Sequence, residues 1–255
     1  MTQQTVLAAQ LYTLRDFTKT PADIAATLKK VRQIGYGAVQ LSALGPIAPE
    51  ELKRLLNQES LSVCATHVPF EKMRDDPAAV IAEHKLLGCA YTAIGSLPQS
   101  YRNLDGYRAF AREASQVAKR LKEDGLTWGY HNHSFELEKY NGHTGLEILY
   151  NESDPQYFTA ELDTYWIAHG GGDPAHWIRS LRGRIPLVHL KDMVMQDNKQ
   201  FMAEVGEGNL NWDGILAACK DAGVRWYIVE QDTCQRDPFE SLAISLKNLH
   251  RMGIK

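Results

Sequence analysis

The sequence predicts an α/β fold of one domain, a closed (β/α)8 TIM barrel spanning residues 1–255. Three observations predict it. Short β-rich runs, polar loops and amphipathic helical stretches alternate eight times along the chain, the pattern of parallel strands covered by helices. Successive runs are spaced by roughly 30 residues, the size of one βαβ unit. The 255 residues fit a barrel that takes about 250 as a single domain. No glycine-rich dinucleotide fingerprint follows the first run, which disfavours an open doubly wound sheet, and no linker or low-complexity segment divides the chain.

Each element has its own signal. The first strand is expected over residues 6–11, and Thr20-Pro21 opens the next helix as an N-cap followed by proline, with Gly35 as its stop. Residues 38–41 form the second strand, with Pro49 opening a helix. The third is expected over 61–67, followed by a helix from Asp76-Pro77 to Gly88, and the fourth over 91–95. A long helix over about 104–124 ends at Gly125. Strands five to eight are expected over 127–131, 158–163, 187–189 and 226–230. The helix after strand five is short, around 145–150. Asp173-Pro174, Asn211-Trp212-Asp213 and Asp237-Pro238 open the later helices with capping side chains. The polar, glycine-containing stretch between His189 and Asn211 is expected to lie over the barrel mouth as a lid.

Bulk properties narrow the function classes. Hydrophobic residues make up 44% and charged residues 23%, enough for a sizeable core. A formal net charge of -3 gives no electrostatic reason to expect a nucleic-acid partner. No apolar run approaches the ~18 residues of a membrane span, and Met1-Thr2-Gln3-Gln4 has no signal-peptide character. Cys64, Cys89, Cys219 and Cys234 lack CxxC spacing and read as reduced packing residues, so a cytoplasmic protein is expected. A homo-oligomer is possible, because the exposed helices of barrels often pair.

The chemistry sits at the strand ends. The apolar run Ile185-Pro186-Leu187-Val188 leads into His189, Lys191 and Asp192. The same plan recurs at Tyr130-His131-Asn132-His133, Glu161-Leu162-Asp163 and Ile228-Val229-Glu230-Gln231-Asp232. In a barrel these ends converge on one face. Side chains two apart share a side, so His131 with His133, Glu161 with Asp163, His189 with Lys191 and Glu230 with Asp232 are each expected to look into one mouth. Gln10, Tyr12, Gln40, Ser42 and His67 line the opposite wall, a rim suited to a polyhydroxylated ligand. Carboxylates with imidazoles suit one divalent metal: Mn2+, Mg2+, Co2+ or Zn2+. Lys191-Asp192 could instead be a structural ion pair, and Gly170-Gly171-Gly172 could cradle a phosphate.

Five short motifs in order, Tyr130-His131-Asn132-His133-Ser134-Phe135-Glu136, Leu162-Asp163-Thr164-Tyr165-Trp166, Val188-His189-Leu190-Lys191-Asp192, residues 205–212 and Val229-Glu230-Gln231-Asp232, resemble the sugar phosphate isomerase/epimerase proteins of the xylose isomerase-like TIM-barrel superfamily. The resemblance covers essentially the whole chain. It implies one divalent metal bound by Glu136, Asp163, His189 and Glu230, with His133 as the alternative strand-five ligand. It implies proton abstraction from a small-molecule sugar or keto-sugar, with Glu230 or His133 as the base and Lys191 as a further proton-handling group. Gln10, Tyr12, Gln40, His67, His131, Trp166 and Glu207 are expected to contact the substrate. Members of the superfamily include ketose 3-epimerases, inosose dehydratases, 3-keto-glycoside lyases and AP endonucleases. An epimerase or isomerase is expected first and a lyase or dehydratase second; an AP-endonuclease-type hydrolase or a non-catalytic sugar-binding barrel is less favoured. Where the epimerases and inosose dehydratases carry a His three residues after the strand-six Asp, this chain carries Trp166.

Overall fold

The computed structural model describes residues 6–255. Eight parallel strands close into a barrel: Val6–Gln10, Ala38–Leu41, Ser62–His67, Tyr91–Ile94, Thr127–His131, Thr159–Asp163, Leu187–Leu190 and Trp226–Val229, numbered one to eight here. Strand one pairs with both strand two and strand eight, which completes the ring. The expected strands are all present, their ends within one residue of the expectation.

Alternation determines what fills the barrel. Its lower interior is plugged by Ala8, Ala38, Ala65, Leu187 and Ile228, with Tyr91 and Trp226 against them. Two residues further along the respective strands, on the same side, stand Gln10, Gln40, His67, His189 and Glu230. The small alanines leave room above them for these long polar groups. The opposite faces bury leucines, valines and aromatics against the helices, so a closed apolar shell surrounds a polar mouth.

The helices begin where side-chain chemistry allows. Thr20 caps Pro21–Ile34 in a reciprocal box with Asp23, and Thr144 does the same with Glu147 for Gly145–Glu152. Asp173, Asn211 and Asp237 each accept backbone N–H bonds at the start of their helices. Two helices stand beyond those expected, Phe70–Asp75 after strand three and Thr164–His169 directly after strand six.

The expected lid is not an open loop. It folds into an antiparallel hairpin, Asp192–Gln196 with Lys199–Ala203. Asp192 holds it, accepting N–H bonds from Met193, Gly206, Gly208, Leu210 and the Trp212 indole at 2.6–3.2 Å. A Cβ at Gly208 would come within 2.4 Å of the Asp192 carboxylate, so only glycine fits there. This corrects the Lys191-Asp192 pairing: the two side chains go opposite ways. The glycine run at 170–172 also has a packing cause, since a Cβ at Gly170 would meet Leu137 at 2.7 Å and one at Gly172 would meet Ile167 at 3.0 Å.

Candidate active site

Strand six contributes two carboxylates, and local bonds aim both. Asp163 ends the strand and caps the following helix: its Oδ1 accepts from Trp166 N at 3.0 Å, while its own N–H donates to Asn132 Oδ1 at 3.0 Å. With Oδ1 engaged, Oδ2 is left for the mouth. Thr164 Oγ1 then ties strand six to strand seven, donating to the carbonyl of Lys191 and accepting its N–H.

Four side chains from strands five to eight meet there. One donor atom from each of His131, Asp163, His189 and Glu230 lies within 4.8 Å of every other, and all four residues are buried. His131 Nε2 stands 3.5 Å from Asp163 Oδ2, and His189 Nδ1 stands 3.9 Å from that oxygen and 2.8 Å from Glu230 Oε2. His131 Nε2 and Asp163 Oδ2 are both buried and neither makes a hydrogen bond of good geometry.

Lys191 enters the same space with no exposure to solvent. Its Nζ lies 2.9 Å from Asp163 Oδ2, 2.9 Å from Glu230 Oε2 and 2.6 Å from Asp232 Oδ2. Burial opposes the ammonium, but these three carboxylates outweigh it and raise its pKa. Burial also works to raise the pKa of Asp163 and Glu230. Lys191, together with His131 at Asp163 and His189 at Glu230, reverses this and holds both below the usual carboxylate range. His189, desolvated but flanked by Glu161 and Glu230, is raised to about 10.

A second group lies deeper. Glu161 shares its side of the strand with Asp163 and is fully buried. Its Oε2 is 2.7 Å from His67 Nε2, and its Oε1 accepts from Gln40 Nε2 at 2.7 Å. Gln40 Oε1 in turn lies 2.7 Å from His189 Nε2. His67, Glu161 and His189 form another compact set of potential donor atoms. Parity with Asp163 puts Glu161 at the mouth in the sequence, without a role. The available signal was a carboxylate two residues inside a buried strand, which must find partners.

The expected ligand set is only partly brought together. Asp163, His189 and Glu230 converge, but Glu136 stands in neither compact group. Its oxygens accept from Tyr130 OH at 2.7 Å and from His133 N at 2.9 Å. The turn Phe135–Leu137 carries it back behind the strand, onto the face where Tyr130 packs against Phe110 and Phe158. His131, expected to contact substrate, stands beside these three instead, because it lies within the strand on the inward side.

Other expected residues are distributed as follows. His133 sits beside His131 and Trp166, with ring centroids 5.1 and 5.2 Å away; burial first, then His131 and Lys191, depress its pKa to about 3. Its Nδ1 and the Trp166 Nε1 are buried without partners. Lys191 Nζ is 5.5 Å from the Trp166 ring. Gln10 Oε1 accepts from Tyr12 N, leaving Nε2 unpaired, and Tyr12 lies under the Arg15 guanidinium. Gln40 and His67 are engaged with Glu161 rather than left free at a wall. Glu207 is exposed, and Arg236 stands 3.3 Å from it.

A family model described as xylose isomerase-like TIM barrel matches residues 28–249. A sugar phosphate isomerase/epimerase from Parabacteroides distasonis superposes with a TM-score of 0.81 at 22% identity, covering 100% of this chain and 96% of the other. An L-ribulose 3-epimerase gives 0.72 at 15% identity over 98% and 95% of the two chains. The probable 3-DHS dehydratase of Bacillus anthracis gives 0.73 at 14% over 96% and 99%. At these identities the likeness is one of fold. An inosose dehydratase of Bacillus cereus is 25% identical over 142 residues, which span 49% of this chain and 47% of the relative. Among the described residues no helix is long and apolar enough to cross a membrane.

Proposed function

This chain belongs to the xylose isomerase-like TIM-barrel family, and from that premise we propose that it is a divalent-metal-dependent isomerase or epimerase acting on a sugar or keto-sugar. The observation that carries this reading is the meeting of His131, Asp163, His189 and Glu230 from four strands, with His131 Nε2 buried and left without a hydrogen bond. A buried ring nitrogen without a partner is costly, and a cation would satisfy it. Two imidazole nitrogens and two carboxylate oxygens suit Mn2+, Co2+ or Zn2+ better than Mg2+, which favours an all-oxygen shell. The ligand set we propose is therefore His131, Asp163, His189 and Glu230. When bound, the ion would supply Lewis-acid polarisation of a substrate carbonyl or hydroxyl.

The chain's own residues divide the remaining work. His133, beside His131 and Trp166 with Nδ1 unpaired, is placed to take the proton next to the carbonyl. Glu230, paired at once with Lys191 and His189, suits charge anchoring better than proton removal. Lys191 stays cationic and can stabilise negative charge developing on a substrate oxygen. The unpaired N–H groups of Trp166 and Gln10 can donate to sugar hydroxyls, with the indole face as a wall. The fold shared with L-ribulose 3-epimerase supports this reading.

Elimination at the same site is the second reading. It is favoured by the inosose dehydratase relatives, while Trp166 departs from the histidine that epimerases and inosose dehydratases alike carry there. Both readings begin with the same proton. Incubating Mn2+-loaded protein with a panel of keto-sugars in D2O, with products read by NMR, tests them. A product with the substrate's atoms conserved and solvent deuterium at one carbon is expected. Loss of water would select elimination, and absence of any exchange across the panel would remove both.

A further inference from the structure

We infer that Glu161 is a positioning residue: through Gln40 it fixes which nitrogen of His189 bears a proton, and so which nitrogen is presented to the cation. The inference rests on the metal reading above and adds a role for residues that the reading leaves idle.

Donor direction decides the tautomer. A carboxylate only accepts, so the end of the Gln40 amide 2.7 Å from Glu161 Oε1 must be the NH2. The far end of that amide is then the oxygen, and His189 Nε2, 2.7 Å away, must donate to it. Glu161 Oε1 itself, 3.3 Å from the same nitrogen, is a second acceptor and reinforces the assignment. With Nε2 bearing hydrogen, only Nδ1 can be given to a cation. That atom lies on the side of Glu230 Oε2 and Asp163 Oδ2.

His67 follows the same logic. Its Nε2 must donate to Glu161 Oε2, which leaves Nδ1, 3.3 Å from Ser42 Oγ, as the acceptor of the hydroxyl proton. A continuous chain thus runs from Ser42 through His67, Glu161 and Gln40 to His189, every direction set by the charge at its centre. Gln40, Glu161 and His189 are fully buried, so bulk water has no route to reverse it. The chain also closes the His67–Glu161–His189 group to a second cation, because both histidine nitrogens facing Glu161 carry hydrogen.

The test uses the Zn2+-loaded full chain and 15N NMR of its histidines, with zinc stoichiometry measured alongside. The wild-type protein is expected to bind one ion, with His189 protonated at Nε2 and ligated through Nδ1. Ligation through Nε2, or two ions per chain, overturns the inference while leaving the metal reading intact. Failure to bind zinc at all removes the metal reading and this inference together. In Glu161→Gln the amide can present either end, so the His189 tautomers mix and zinc affinity falls by roughly 10–100-fold, the range for outer-sphere partners. Gln40→Met removes the relay but keeps the Glu161–His67 pair, and carries the same expectation. Unchanged affinity and an unchanged His189 tautomer in both variants would refute the role; if neither variant folds, the wild-type spectrum still decides it.

Discussion

Two sets of buried carboxylates behave differently in this molecule. Glu161, Asp163 and Glu230 stand inside the barrel mouth, where His67, His131, His189 and Lys191 face them. Glu136 and Asp192 are equally buried but lie outside the mouth, where they meet neutral donors: a tyrosine hydroxyl and N–H groups. All lose water on folding, and the inner set has cationic partners that keep the pKa low. At Glu136 burial prevails and pushes the pKa up to about 7. The kind of partner, more than the degree of burial, separates carboxylates that can hold a cation from those that hold the backbone.

The sharpest way to break this contrast is to neutralise one member of each set. Asp163→Asn should lower Mn2+ affinity by more than about 100-fold, beyond the loss expected of an outer-sphere change, and remove turnover. Glu136→Gln should leave the affinity within about threefold; titration calorimetry compares them. Equal losses in both sets would erase the distinction.

Asp192 should show its weight in stability. Asp192→Asn leaves several of the N–H donors it serves without a full acceptor, and a loss of roughly 3–5 kcal/mol is expected from denaturant unfolding. Hydrogen exchange should localise the opening to the hairpin over 192–203.

Glu136 predicts a pH dependence of definite sign. Its folded pKa of about 7 lies above the ordinary 4.5, so the folded state holds a proton that the unfolded state has lost between those values. Its contribution is therefore full below about pH 4.5 and is lost as pH rises to about 7. Wild-type protein should lose about 3 kcal/mol relative to Glu136→Gln across that window. Glu161 and Glu230, whose pKa values are lowered, contribute in the opposite sense: present above pH 4.5 and lost on acidification. The smallest effect belongs to Glu207, whose exposed pairing with Arg236 should be worth under about 0.5 kcal/mol, with no change in metal affinity on Glu207→Ala.

Much of this was legible in the chain because it rests on local rules. Period-two alternation placed Asp163, His189, Lys191 and Glu230 on inward faces, and Thr20, Asp173, Asn211 and Asp237 marked helix starts by their capping chemistry. Glu136 comes from the resemblance and lies beyond the reach of alternation: a short turn after His133 reverses the direction of the next side chains, and no residue pattern announces it. His131, inside the strand, obeyed the rule. The Glu161 network depends on Gln40 and His67, contributed by strands far away in sequence, so its partners became visible only when the ring closed.

The proposed chemistry requires one cation gripped by groups from strands five to eight. Zinc-edge anomalous diffraction from a Zn2+-soaked crystal addresses this most directly. The expected result is a single peak about 2.0–2.2 Å from donor atoms of His131, Asp163, His189 and Glu230. A peak bound through Glu136, or none near Asp163 at saturating zinc, would contradict it.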